Sequence, residues 1–142
     1  MKVAVVRETY PGERRVALVP SVVASLHKAG WQVLLEAGAG EAAGFTDADY
    51  QAKEVQIVAD RKTAFQEAQV ILQVRTLGAN PEAGRADLDL MRPGQVVIGC
   101  CDPLGNTQAI QEIADRKAIL FAMEMIPRIT RAQSMDILSS QA

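Results

Sequence analysis

Six short apolar runs punctuate the chain, at residues 3–6, 31–36, 55–58, 70–74, 96–101 and 118–123. Runs of four to eight aliphatic and β-branched residues bounded by turn formers read as strands. Most of them lack the polar alternation of a strand with one wet face, so they read as strands buried on both sides. Between them the apolar spacing lengthens to the helical period. Pro20 stands near the start of a helix whose apolar face is Val22, Val23, Leu26 and Ala29, and Gly30 ends it. Shorter helices are predicted over 47–53, 63–68 and 88–90, and a longer one over 106–117 with Ile110 and Ile113 buried. Pro93-Gly94 marks a turn before the 96–101 strand, which reads as central. Alternation of strand and helix throughout predicts an α/β fold in three layers, a mostly parallel sheet with helices on both faces.

The last part of the pattern carries the most chemistry. Pro127 is expected to end the 118–123 strand, because a central strand tolerates no proline. Thr130 and Gln133 make a Thr-x-x-Gln capping box that opens a helix. On that helix Met135, Leu138 and Ala142 share an apolar face, and Gln133, Asp136 and Ser139 form a polar row. Arg128 stands just before it. A strand that stops, turns and opens a helix is where open α/β sheets place ligands. From these residues alone, Gln133 as a cap and Asp136 as a solvated acid is the plainer reading.

Composition narrows the class. The chain has 142 residues, 49% of them apolar, which is one domain with a proper core. A net charge of −2 implies no general nucleic-acid surface. No apolar run reaches the eighteen residues or so that a membrane span needs, and Met-Lys-Val-Ala-Val-Val does not read as a signal peptide. The two cysteines, Cys100 and Cys101, are adjacent. On a strand they face opposite ways and read as small apolar residues, with no disulfide framework and a reducing compartment expected. The single histidine, His27, sits beside Lys28 with no orienting carboxylate in view and reads as a solvated surface residue.

Gly38-Ala-Gly40-Glu-Ala-Ala-Gly44 follows a predicted strand, with Asp60 at the end of another about twenty residues on. This imitates the dinucleotide fingerprint. A phosphate cradle needs a longer helix opening directly on the loop, and Phe45-Thr46-Asp47 interrupts instead. The glycines therefore read as a tight connection using positive φ.

Met-Ile-Pro-Arg128-Ile-Thr-Arg-Ala-Gln133-Ser-Met-Asp136-Ile-Leu-Ser139-Ser-Gln closely resembles a signature of the nicotinamide nucleotide transhydrogenase α subunit, a family that shares its N-terminal domain with alanine dehydrogenase. Gly12-Glu13-Arg14-Arg15-Val16-Ala17-Leu18-Val19-Pro20 resembles a second hallmark, Glu-x-Arg-Val-Ala-x-x-Pro. In alanine dehydrogenase the arginine matching Arg15 binds the substrate carboxylate. From the residue alone, a surface or packing arginine is the plainer reading of Arg15.

That enzyme also uses a lysine near the end of the fourth strand and a histidine after the fifth. Here those places hold Gln73-Val74-Arg75 and Cys100-Cys101-Asp102-Pro103, so amino-acid oxidation is disfavoured.

The resemblance implies a Rossmann-like or flavodoxin-like layer order without the dinucleotide fingerprint. It implies that residues 1–142 are the first subdomain of an NAD(H)-binding domain, with the Rossmann subdomain expected beyond residue 142. It implies hydride transfer between NADH and NADP+ by a proton-translocating complex, this domain alone being inactive. Arg128, Gln133, Asp136 and Ser139 would contact the nicotinamide and its ribose, with Gln133, Asp136 and Ser139 serving the chemical step. NAD(H) would be a substrate, NADP(H) would bind a partner domain, and no metal is implied. The expected partners are the C-terminal subdomain, the NADP(H)-binding and membrane components, and a second copy in a homodimer. The expected location is cytoplasmic, peripheral to the inner membrane. An alanine-dehydrogenase-like fragment and a free-standing ligand-binding module are the alternatives.

Overall fold

Each of the six apolar runs forms a strand: β1 (Lys2–Val5), β2 (Gln32–Glu36), β3 (Gln56–Val58), β4 (Val70–Arg75), β5 (Val96–Cys100) and β6 (Ile119–Ala122). They join in one sheet of order β3-β2-β1-β4-β5-β6, with every pairing parallel. The computed structural model describes residues 1–136. This is the order of a doubly wound dinucleotide-binding sheet, and its direction of travel reverses between β1 and β4.

The helices are short: α1 (Val23–Lys28), α2 (Asp47–Gln51), α3 (Arg61–Glu67) and α4 (Thr107–Asp115). Three are started by side chains that accept the orphan backbone N–H groups of a first turn. Thr46 and Asp49 form a reciprocal capping box on α2. Asp60 accepts from Thr63 N on α3, and Asn106 from Ala109 N on α4.

Side chains alternate across the strands and fill two cores. Val3, Val5, Val33, Leu35 and Val70 meet Val23 of α1 and Tyr50 of α2 on one face. Ala4, Leu34, Ile71 and Val97 meet Phe65 of α3 and Ile113 of α4 on the other. Right-handed crossovers dictate this division. The chain moves one way through β1, β2 and β3, which puts α1 and α2 on the first face. It moves the other way from β3 to β6, which puts α3 and α4 on the second.

Several expectations are corrected. Val22 lies in a 3-10 turn, Pro20–Val22, ahead of α1, and is exposed rather than part of its apolar face. His27 is half-buried in the last turn of α1. The helix expected at 88–90 forms earlier, as a 3-10 stretch over Ala83–Asp87. Of the α4 pair, Ile113 is buried but Ile110 only half-buried.

The 118–123 run is an edge strand, with Ile119 and Phe121 49% and 58% exposed, because neither core extends over that side of β6. It ends at Ala122, before Pro127 is reached, and a 3-10 turn, Met123–Met125, follows. Thr130 is not a cap. Ile129 precedes a 3-10 stretch, Thr130–Met135, with no side-chain cap bond, and i→i+3 backbone bonds such as Ala132 N to Ile129 O close its turns. Met135 is exposed. Ser139, Leu138 and Ala142 lie outside the described residues.

Candidate functional site

The C-terminal ends of the strands, where such sheets bind ligands, are lined by carboxylates. Glu36, ending β2, accepts from Arg7 N at 2.8 Å. Glu8, after β1, accepts from Val74 N and Arg75 N at 2.6 and 3.1 Å. Glu124, after β6, accepts from Cys101 N with both oxygens at 3.0 Å and from Asp102 N at 3.1 Å. Backbone amides left over at parallel strand ends are natural anion contacts, and here the chain's own glutamates take them. Burial pushes the Glu8 carboxyl up, and its two backbone bonds only partly offset this.

Next to these ends lies an arginine pair. Glu13 receives Nε and Nη2 of Arg15 at 2.8 Å each and Nε of Arg75 at 2.8 Å. The Arg15 bond leads in holding the Glu13 carboxyl down to about 2. The Arg75 guanidinium also lies 4.2 Å from the centre of the Tyr10 ring. Arg15 borders a cleft of about 470 Å³ walled by Val16, Ala17, Leu72 and Ile98.

On the other face Arg61 binds the buried Asp87 through Nε and Nη2 at 2.5 and 2.8 Å, and donates to Arg7 O at 2.7 Å. Gln73 Nε2 donates to the same Asp87 at 3.0 Å, while Gln73 Oε1 is buried with no partner.

The glycine-rich turn is a packing device. Gly38 and Gly44 have φ of 78° and 91°. A Cβ on Gly40 would stand 2.6 Å from the Tyr50 ring. Only a three-residue 3-10 turn, Glu41–Ala43, follows it, and Asp60 is occupied as the α3 cap. Of the cysteines, Cys101 is buried and its thiol is pushed up to about 12, chiefly by burial; Cys100 is half-buried.

Beyond β6 a smaller cleft of about 230 Å³ is bordered by Arg128, Ile129, Thr130, Gln133 and Asp136. Arg128 Nε lies 3.6 Å from Asp136 Oδ2. Asp136 is buried and Gln133 exposed, so Asp136 is not the solvated acid of the plainer reading. Three of the four signature residues are thus together. Arg15 borders the other cleft, and Ser139 lies outside the described residues.

The family model described as "Alanine dehydrogenase/PNT, N-terminal domain" matches residues 4–142. The chain belongs to this family. Over all 142 residues it is 38% identical to "NAD(P) transhydrogenase subunit alpha" of Cereibacter sphaeroides, covering 26% of that protein. A solved transhydrogenase from Sinorhizobium meliloti superposes with a TM-score of 0.87 at 40% identity, over 99% of this chain and 40% of that one. A solved L-alanine dehydrogenase superposes with a TM-score of 0.81 at 27% identity, over 92% of this chain and 34% of that one. The chain therefore spans well under half the length of these relatives.

The strand-end glutamates and the Arg61–Asp87 pair escaped the sequence reading. A faint signal existed for the glutamates: Glu8, Glu36 and Glu124 each close or closely follow an apolar run. Among the described residues no group of His, Cys, Asp and Glu is arranged to hold a metal ion. Nor is any helix among them long and apolar enough to cross a membrane.

Proposed function

We propose that this domain works in an NAD(P) transhydrogenase passing hydride between NADH and NADP+, and that Arg128, Gln133, Asp136 and Ser139 set the position of the dihydronicotinamide. The observation that supports this reading is the approach of Arg128 to the buried Asp136 across a small cleft beside Gln133. At about 230 Å³ that cleft falls below the roughly 300–1,000 Å³ of sites that enclose a whole ligand, so it suits one ring of a dinucleotide. Its chemistry fits a carboxamide: Arg128 can donate, Asp136 can accept, and the Gln133 amide can do both.

When bound, the dihydronicotinamide supplies the hydride. Direct hydride transfer asks no side chain for a proton, so these residues would orient the ring and exclude water. Pyrophosphate binding falls to a further Rossmann subdomain of the kind the longer relatives have room for. NADP(H) falls to a partner component of a proton-translocating assembly that contains a second copy of this domain, and the domain itself is held peripheral to the membrane by the assembly's membrane components. Arg15 has a weaker claim as a substrate contact, since its guanidinium already holds Glu13.

The test is stopped-flow hydride transfer from NADH to an NADP+ analogue, in an intact transhydrogenase carrying this domain. Gln133→Asn, Asp136→Asn and Ser139→Ala should each slow transfer tenfold or more, roughly 1.4 kcal/mol of barrier, while NADH affinity changes less. Parent rates in all three variants, with lowered melting temperatures, would show the residues to be structural.

A further inference from the structure

Glu124 carries the β5–β6 ladder one rung beyond the end of β6. The offset of 23 residues that pairs Val96 with Ile119 and Gly99 with Ala122 also sets Cys101 opposite Glu124. In a continuing strand the Cys101 N–H would find a backbone carbonyl of its neighbour. β6 has already stopped there, and the chain turns through the 3-10 residues Met123–Met125. The Glu124 side chain takes over the role of that carbonyl. Both its carboxylate oxygens lie 3.0 Å from Cys101 N, and Oε2 lies 3.1 Å from Asp102 N. Asp102 has φ 44°, and a left-handed residue in a turn gathers successive N–H groups toward one anion.

The anchor on the β5 side is rigid. Cys100 O accepts from Thr76 N and from Thr76 Oγ1, at 2.9 and 3.1 Å. A Cβ on Gly78 would run into Cys101 O, so the backbone after β4 lies directly against the peptide beside the one that Glu124 holds. On the other side of Glu124, Ile126 N closes the turn on Met123 O, and the ring of Pro127 fixes its own φ. Arg128 follows, four residues after Glu124. A closed turn and a proline leave this short linker little freedom to absorb a shift at Glu124.

We infer that Glu124 is a positioning residue for hydride transfer: it fixes the point at which the Arg128–Asp136 segment leaves the sheet, and so sets where Arg128 meets the dihydronicotinamide. This rests on the nicotinamide reading of that segment. A carboxylate suits the task because it only accepts, and it can take two N–H groups at once. A glutamine has one acceptor oxygen and would turn its own N–H groups toward one of the two amides. A displacement of about 1 Å in a group that orients the reacting ring can cost on the order of a hundredfold in rate.

Glu124 also borders a cleft of about 700 Å³ with Tyr10, Arg75 and Asp102. Direct contact with a ligand there is the rival role, and the two roles separate in kinetics.

Glu124→Gln is read first in this chain by amide hydrogen exchange. Exchange at Cys101 and Asp102 should accelerate, while β1 and β4 keep their parent rates. Unchanged protection at Cys101 and Asp102 would show that the bonds are not made in solution, and faster exchange throughout would make Glu124 a folding residue; either result overturns the inference.

The second arm is stopped-flow hydride transfer from NADH to an NADP+ analogue, in an intact transhydrogenase carrying this domain. Glu124→Gln should slow transfer about tenfold or more, with NADH affinity changing less. In an Arg128→Ala background the same substitution should add little. A parent rate, a loss of NADH affinity as large as the loss of rate, or equal slowing in both backgrounds would each overturn the inference. Arg128→Ala transferring at the parent rate would instead bring down the nicotinamide reading, and the role of Glu124 with it.

Discussion

Arg128 and Asp136 meet at 3.6 Å across the small cleft, yet the Asp136 side chain is 11% exposed and that of Arg128 is 67% exposed. An ion pair with one arm in water is screened and adds little to stability, typically below about 1 kcal/mol. Arg128→Gln should therefore leave the melting temperature of this chain within a few degrees of the parent. A loss of ten degrees by calorimetry would show that the pair holds the fold.

The chain alone should bind NADH weakly or not at all. Its strand-end amides at Arg7, Val74, Arg75, Cys101 and Asp102 are already bonded to Glu36, Glu8 and Glu124. The glycine turn at Gly38 opens only a three-residue 3-10 turn. Micromolar NADH binding by titration calorimetry would contradict this and revive that turn as a phosphate site.

Arg61 should matter for folding far more than Arg128. It is largely buried and holds the buried Asp87 with two bonds. Removing one partner of such a pair leaves an uncompensated charge and costs about 3–5 kcal/mol. Arg61→Met should lower the urea midpoint accordingly. An unchanged midpoint would mean that Asp87 finds other compensation.

Glu13 gives a pH signature. Its folded-state value of about 2 lies below the ordinary 4.5, so it stabilises the fold above pH 4.5 and loses that contribution as pH falls from 4.5 through 2. Glu8 is shifted the other way, upward by burial, and works against it. The stability gap between parent and Glu13→Gln should be full at pH 6 and should close on acidification through that window. A gap that stays constant to pH 2.5 would show that Glu13 is not held by Arg15 and Arg75 in solution.

The sequence by itself determined the local elements. All six strands lie where the apolar runs stand, because a run of Val, Ile and Leu suits an extended, two-sided buried backbone whatever its neighbours are. Asp60 and Asn106 cap α3 and α4 through bonds spanning three residues. The alternation of strands and helices already implied a parallel sheet, and the signature around Arg128 already pointed to the segment after the last strand.

The tertiary structure decided what depends on distant neighbours. An apolar run does not say which strand lies beside it, so Ile119 and Phe121 looked as buried as Val96 until β6 proved to be an edge. The bond from Val74 N to Glu8 spans 66 residues, and that between Arg61 and Asp87 spans 26; no periodicity encodes either. The segment 130–135 forms a 3-10 stretch instead of a capped α-helix. Asp136 is buried beside Arg128 because the fold brings them together there, whereas sequence pattern alone left it a solvated acid.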